Sequence, residues 1–520
     1  MPLLDAAALR RLQSEFRQSM RTLLSDLCRD LDGEYSDLTD RLALPAGYFR
    51  FLAHSLDPAV YSNWKVVGWI EMLNDLVYFL DLLQQVRTER DPGGFAEQLF
   101  ADCEQKFFEN SYLDELFPQG RPQAKGLATR LQWLCMRLAR EATQESLFFD
   151  PCRAMHWKKR RGLSPWEVSG SLDHHFERAE RAFTLPVGIE GDELLAPKSV
   201  AAAVGRAKQR VTFEITARDI VLKKGRTFPI CALRGSEMQW HWPRRTAAEA
   251  ATTPYGALTV GPTLRYGNDR QPNSVGPTDA GQVQRIARAW NVIREAWPEG
   301  HVLLELFTSR INPLRARGVV SFSYRHRPGL SFINCFERDD LDLIDDLVHE
   351  NSHHHLNLLL RKHVMYHGDR NQQIFYSPWR RSLRPIRGIL HASFTFTMGA
   401  LLFERLSSWA ETKQGARQWR EAGLTPRDLM RARFRCLEEI ESVRYSIQDL
   451  EYAGRHLKWI TGSGARLVRE LQEAIAKAER RIARHHKAVL ASSFGPALRK
   501  HIRELQQARH TYGPVRLSKA

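Results

Sequence analysis

The sequence predicts a mainly α-helical chain with a small β region, an α+β protein. Three observations predict it. Apolar residues recur every three to four positions through both ends of the chain. Alternating segments punctuated by glycine and proline are confined to the middle. There, a strand hairpin runs directly into an apolar-periodic helix. Four stretches follow: a helical region over 1–165, a small β-containing region over 185–275, a hairpin-and-helix core over 279–410 and a helical, basic region over 415–510.

In the first stretch, Trp64, Val67, Ile70 and Leu73 fall at helical spacing and continue as Leu76, Phe79, Leu80 and Leu83. A second helix is expected over 124–142. The basic run Lys158-Lys159-Arg160-Arg161 reads as a solvated loop rather than a phosphate patch. In the second stretch, 211–216 alternates as a strand, and Lys224-Gly225 turns the chain into a strand over 227–230. Gly256, Gly261, Pro262, Gly267, Pro272 and Gly276 then mark a loop-rich segment. The third stretch opens with Asp279 as the N-cap of a helix through Ile286, Trp290, Ile293 and Trp297. A strand over 319–324, a turn at Arg327-Pro328-Gly329 and a returning strand over 330–333 form the hairpin, and a helix over 341–360 follows. In the fourth, Thr425 and Pro426 start a helix as N-cap and first-turn proline, and Thr461-Gly462-Ser463-Gly464 interrupts the helices beyond it.

Composition narrows the class. Of 520 residues, 43% are hydrophobic and 26% charged, which excludes a disordered or collagen-like chain. Lys and Arg number 76 against 60 Asp and Glu, so the net charge of +16 calls for an acidic partner: nucleic acid, an acidic peptide or an anionic cosubstrate. The seven cysteines are scattered without a C-x-x-C pair, which fits neither a disulfide framework nor a zinc ribbon and suggests a reducing cytosol. Met1-Pro2-Leu3-Leu4-Asp5 lacks a basic segment followed by an apolar one, so a cytoplasmic protein without a secretory signal is expected. The segment 388–403 has no Asp, Glu, Lys or Arg, but it is too short to span a bilayer and reads as a buried helix. No Walker A, G-x-G-x-x-G or G-x-S-x-G sequence occurs.

The chemistry concentrates at His349-Glu350-Asn351-Ser352-His353, an H-E-x-x-H sequence. On a helix, positions i and i+4 share a face, so two imidazoles there can bind one metal ion with Glu350 beside its open side. Leu343, Ile344, Leu347 and Val348 precede the motif and Leu356, Leu358, Leu359 and Leu360 follow it, so the helix is apolar on both sides. The upstream hairpin completes a zincin-like order of hairpin, then motif helix. His354 lies about 100° round the helix from His353 and is expected nearby or at the surface, and His355 solvated or packed. Two imidazoles need a third protein ligand. His363, His367, His391, Glu404 and Glu411 are the downstream candidates. His391 leads because it opens the most apolar helix, and Glu404 is the alternative metal ligand because a later-helix Glu completes many zinc peptidase sites. Between motif and His391 lie Arg380, Arg384 and Arg387. Arginine grips carboxylates by a planar fork, so these suit the far carboxylate of a dicarboxylate cosubstrate or an acidic substrate side chain.

His349-Glu350-Asn351-Ser352-His353-His354-His355-Leu356-Asn357, Ser377-Pro378-Trp379-Arg380, Arg384-Pro385 and Gly388-Ile389-Leu390-His391 together resemble the HExxH-motif peptide-modification proteins. These are encoded near ribosomally made, post-translationally modified peptides, and members are described as iron- and 2-oxoglutarate-dependent peptide β-hydroxylases. The likeness covers about 318–406, with a weak extension from Trp459-Ile460-Thr461-Gly462 to Leu467, and the first 300 residues add nothing to it. The resemblance implies His349, His353 and His391 as Fe(II) ligands, with open positions for 2-oxoglutarate and O2. Glu350 then has no obligatory role as a base and is free to orient a ligand, bind water or approach the metal.

Three functions compete. The first is Fe(II)/2-oxoglutarate-dependent β-hydroxylation of an Asp, His or other side chain in a ribosomal precursor peptide, for which an acidic peptide would suit the basic charge. The second is a zinc metallopeptidase with Glu350 as general base and Glu404 or His391 as third ligand. The absent H-E-x-x-H-x-x-G-x-x-H continuation and the absent signal count against it. The third is a non-catalytic basic binding protein, suggested by Arg480-Arg481-Ile482-Ala483-Arg484-His485-His486-Lys487. No nucleic-acid motif accompanies that run, so nucleic acid is not the expected partner, and neither is a membrane.

Overall fold

A computed structural model describes residues 3–42, 44–106, 112–160, 166–171, 184–204, 210–254, 256–261, 280–367 and 372–513. The chain is mainly α-helical, and four small sheets lie between residues 166 and 384 among the described residues. In the N-terminal stretch, helix Trp64–Thr88 is buried nearly all round, against Ala6–Asp32 on one side and Leu127–Phe149 on another. The expected 124–142 helix is Leu127–Phe149. The basic run does not form a loop as far as Arg160: Lys158, Lys159 and Arg160 end the helix Pro151–Arg160, where their charge complements the helix dipole, and Lys158 is buried. Arg161 lies outside the described residues.

Five antiparallel strands form a meander in the order Trp166–Ser171, Arg210–Ile215, Asp219–Lys224, Arg226–Arg234, Glu237–Trp240. Asp219–Lys224 adds a strand that the sequence reading left out. A second five-stranded sheet carries the site, in the order Phe322–Ser323, Leu330–Asn334, Arg310–Leu314, Gly256–Val260, Ala248–Thr253. Its three middle strands run parallel and both edges antiparallel.

Two sequence expectations change here, and one strand is new. The 319–324 strand shortens to Phe322–Ser323. Gly256–Val260 is a strand rather than the start of a loop, so the core sheet takes two strands from the 185–275 stretch. The central strand, Arg310–Leu314, is buried at every position although it contains Arg, Asn and Pro. Arg310 tolerates this partly by donating from Nη1 to Thr259 Oγ1 at 3.2 Å across the sheet. Residues 262–279, including the proposed cap Asp279, lie outside the described residues; the helix beyond them is Ala280–Ala296.

The motif helix is Asp340–Lys362, started by a capping box between Asp339 and Asp342. It packs on strand Leu330–Asn334, on Ala280–Ala296 and Pro298–Phe307, and on helix Ile386–Ala410. Asn351 fixes it to its neighbour, with Nδ2 donating to Leu303 O at 3.1 Å and to Thr308 Oγ1 at 2.8 Å. Among the described helices, Ile386–Ala410 alone is long and apolar enough to cross a membrane by length and composition, and 72% of its most apolar window is buried within the protein. Pro426–Arg455 packs along it and starts at the expected Thr425, in a capping box with Asp428. Gly462–Ile482, capped by Thr461, and Gly495–Tyr512 complete the C-terminal layer.

One buried ion pair joins the N-terminal helices to the core. The hairpin turn needs Gly329 at φ +91°, a conformation that side chains disfavour. Two residues earlier, Arg327 is fully buried, and its Nη2 donates to Glu145 Oε1 at 2.8 Å on helix Leu127–Phe149. Its guanidinium occupies the space over Gly68, where any Cβ would collide with it. Removing one partner of a buried pair costs about 3–5 kcal/mol. Arg327→Ala should therefore lower the urea-unfolding free energy by about that amount, and Gly68→Ala should also destabilise by displacing the same group. Stability within about 0.5 kcal/mol of wild type, the range of ordinary surface changes, would refute this role.

Asp75 is buried beside Tyr112, whose hydroxyl donates to Oδ2 at 2.6 Å, and burial raises its pKa to about 7. A carboxyl with a raised folded-state pKa favours the folded state below its unfolded pKa and loses that advantage as pH rises to the folded value. Asp75→Asn cannot ionise. Its stability relative to wild type should therefore rise between about pH 4 and pH 7 in denaturation curves, and a difference that stays flat would contradict the assignment.

Candidate metal centre

His349 and His353 stand one turn apart on the motif helix, with ring centroids 5.0 Å apart and planes at 81°. One donor atom from each of His349, Glu350 and His353 lies within 4.8 Å of the other two. Both imidazoles are half-buried, whereas Glu350 is 2% exposed. His391 comes from the second turn of Ile386–Ala410 and is half-buried, while its neighbours Ile389, Leu390 and Phe394 are buried. Its ring centroid is 6.1 Å from that of His353, with planes at 32°. It stands beside the three-residue group rather than within it.

The imidazoles are held neutral. Burial lowers the pKa of His349, and the charges of Arg435 and Arg380 lower it further while Asp345 opposes them. Burial, then the neighbouring imidazoles, takes His353 well below its ordinary value. Burial, then Arg325 and Arg387, takes His391 down to about 4. A neutral imidazole offers a lone pair, the form that binds a metal ion. Burial raises Glu350 to about 8, with Ser323 opposing and Asp346 adding. Ser323 is close enough to act on the carboxyl, yet neither its Oγ nor Glu350 Oε2 closes a hydrogen bond. Neutral imidazoles next to an unbonded buried carboxyl oxygen make a donor set that suits a divalent transition-metal ion.

The other histidines serve packing. His354 and His355 are both buried, so of the alternatives left open His354 lies nearby within the protein and His355 is packed. His354 Nε2 meets Ser331 Oγ at 3.0 Å on the adjacent strand. His355 stacks on Phe307 at 5.3 Å and meets the edge of Phe394 at 5.1 Å. His363 caps the end of the motif helix, and His367 lies beyond it, its N–H donating to Trp459 O at 2.6 Å.

Glu404 is not placed to be a ligand. It lies 13 positions after His391 on the same helix (404 minus 391), about 20 Å along the axis. There it accepts from Ser408 Oγ at 2.9 Å and Arg481 Nη1 at 3.3 Å. Glu411, at the end of that helix, pairs with Arg433 and His485.

The three arginines separate. Arg387 is half-buried four positions before His391 on one helix face, and its charge acts on that ring. Arg380 is exposed but acts on His349. Arg384 is exposed on the two-stranded hairpin Phe375–Ser377/Ser382–Arg384, and it is not among the charges that act on the three imidazoles. Sequence reading missed Arg325, at the hairpin turn, and Arg435, 44 positions beyond His391 (435 minus 391) on another helix. Asp345 was findable, because it sits at i−4 from His349 on the motif helix face.

No protein-family model and no curated protein matches this chain.

His349→Ala, His353→Ala and His391→Ala should each weaken divalent-metal binding by more than ~100-fold, beyond the 10–100-fold typical of changes behind a ligand. Glu350→Gln and Glu404→Gln should stay within about 10-fold of wild type. Competition against a chromophoric chelator reads both, and wild-type affinity in His391→Ala would remove that residue from the site.

Proposed function

We propose that the chain is an Fe(II)- and 2-oxoglutarate-dependent hydroxylase that modifies a side chain of a ribosomally made peptide. The observation that carries this reading is the approach of His391, from a second helix, to the His349–His353 pair, with Arg387 one turn away on the same helix face. The resemblance over 318–406 supports it independently. Bound iron and 2-oxoglutarate would supply the oxidising power to hydroxylate a C–H bond, with 2-oxoglutarate and O2 consumed and succinate and CO2 released.

The chain's own residues have distinct roles in this reading. His349, His353 and His391 hold the metal from one side and leave the other side to small molecules. Arg387 grips the far carboxylate of 2-oxoglutarate by its planar fork. Arg380 and Arg325, both exposed, draw an acidic peptide toward the metal centre. Glu350, dry and close to both motif imidazoles, orients a bound group rather than reacting.

A second reading is a zinc metallopeptidase. The grouping of Glu350 with His349 and His353 within 4.8 Å favours it, since a general base must stand beside the ion. In that reading Glu350 takes the proton of the attacking water, and His391 replaces Glu404 as third ligand.

Anaerobic titration of 2-oxoglutarate into the Fe(II) protein separates the two. The hydroxylase gives a weak visible charge-transfer band, and Arg387→Ala raises the 2-oxoglutarate Kd at least ~10-fold, a loss of about 1.4 kcal/mol, while Arg384→Ala leaves it unchanged. No band, tightly retained zinc, and peptide cleavage abolished by Glu350→Gln would establish the peptidase instead.

A further inference from the structure

His349 is held by groups that lie outside the histidine motif. Phe396, on the same helix as His391, sets its ring 5.1 Å from the His349 ring at 62°. Trp379, from the tip of the hairpin Phe375–Arg384, lies flat on Phe396, with centroids 4.3 Å apart and planes at 6°. Its indole Nε1 donates to Glu439 Oε2 at 2.8 Å. Glu439 is buried on helix Pro426–Arg455, and Arg435, one turn earlier, donates from Nη2 to its Oε1 at 3.0 Å. The same Nη2 reaches Asp345 Oδ2 at 3.1 Å, one turn before His349 on the motif helix. Arg435 Nε also faces Glu438 at 3.5 Å. Carboxylates outnumber the single guanidinium in this network.

We propose that Trp379 and Glu439 are positioning residues of the metal centre. Glu439 fixes Trp379, and Trp379 clamps Phe396 against His349. Asp345, held by Arg435 one turn before His349, supplies negative charge behind that ligand. The physical need is plain. A divalent ion on three neutral imidazoles keeps its full charge in a partly buried site, and carboxylates behind the ligands are the usual compensation. The stack answers a second need, because a half-buried imidazole must be held in one orientation to keep its lone pair on the ion. It also gives Trp379 a role that the sequence left open and explains why its hairpin is tied to the C-terminal helices, where Tyr376 stacks on Tyr512 at 5.4 Å and Arg381 meets Glu504 at 3.3 Å. The inference rests on the metal-centre reading and not on the choice between iron and zinc.

The test uses Co(II) alone as probe, added anaerobically to the full chain and followed by its visible d–d absorption. Trp379→Ala and Phe396→Leu should each weaken Co(II) binding 10–100-fold and shift the d–d band, because the His349 ring reorients. Trp379→Phe keeps the stack and should restore the wild-type band position. Glu439→Gln keeps an acceptor for the indole, so it should leave the band in place, whereas Glu439→Ala frees the indole and should shift it. A wild-type band and affinity in Trp379→Ala overturn the assignment, and Phe396→Leu decides it in the same way if the alanine variant does not fold. A wild-type protein without a His349-dependent band would remove the metal centre itself, and this inference with it.

Discussion

Desolvation of the motif helix is the constraint on which the rest of the site depends. Between Glu350 and Leu359 this helix has almost no face toward water, because the core sheet and the surrounding helices cover it. Burial disfavours charge, so His349, His353 and His391 stay neutral and Glu350 is pushed toward its protonated form. Neutral imidazoles without competing protons are ready donors for a metal ion. An ion in the same pocket then needs negative charge near it, and Asp345, one turn before His349, is placed to supply it.

Scaffold and chemistry meet through polar groups that would be costly if unpaired. Arg327 locks the hairpin turn to the N-terminal helices through Glu145, and the turn holds Arg325 and strand residue Ser323 beside the centre. His354 ties the motif helix to the sheet through Ser331, and Asn351 ties it to the segment before the central strand. On the opposite side, the C-terminal helices fix the hairpin that carries Trp379 and Arg380. The N- and C-terminal helical regions thus both act on the geometry of a site that neither contains.

Much of the fold was legible in the sequence. The motif helix, the Thr425 start and the buried Ile386–Ala410 helix follow from period and capping, which are local signals. The strand Arg310–Leu314 was not legible, since Arg, Asn and Pro argue against a buried strand until their partners across the sheet are known. The burial of Arg327 within its turn, and the choice between water and packing for His354 and His355, likewise depend on partners from distant parts of the chain. Glu404 had the right order in the chain for a ligand but the wrong distance along its helix. The Trp379–Glu439 bond joins residues 60 positions apart, and no local spacing announces it.

In the proposed site, His391 joins His349 and His353 as the third imidazole on one metal ion. X-ray absorption fine structure of the Fe(II)-loaded protein counts imidazole ligands directly through their outer-ring scattering. Three imidazoles are expected in wild type and two in His391→Ala. Two imidazoles with a carboxylate in wild type, unchanged in His391→Ala, would contradict it and make Glu350 the third ligand.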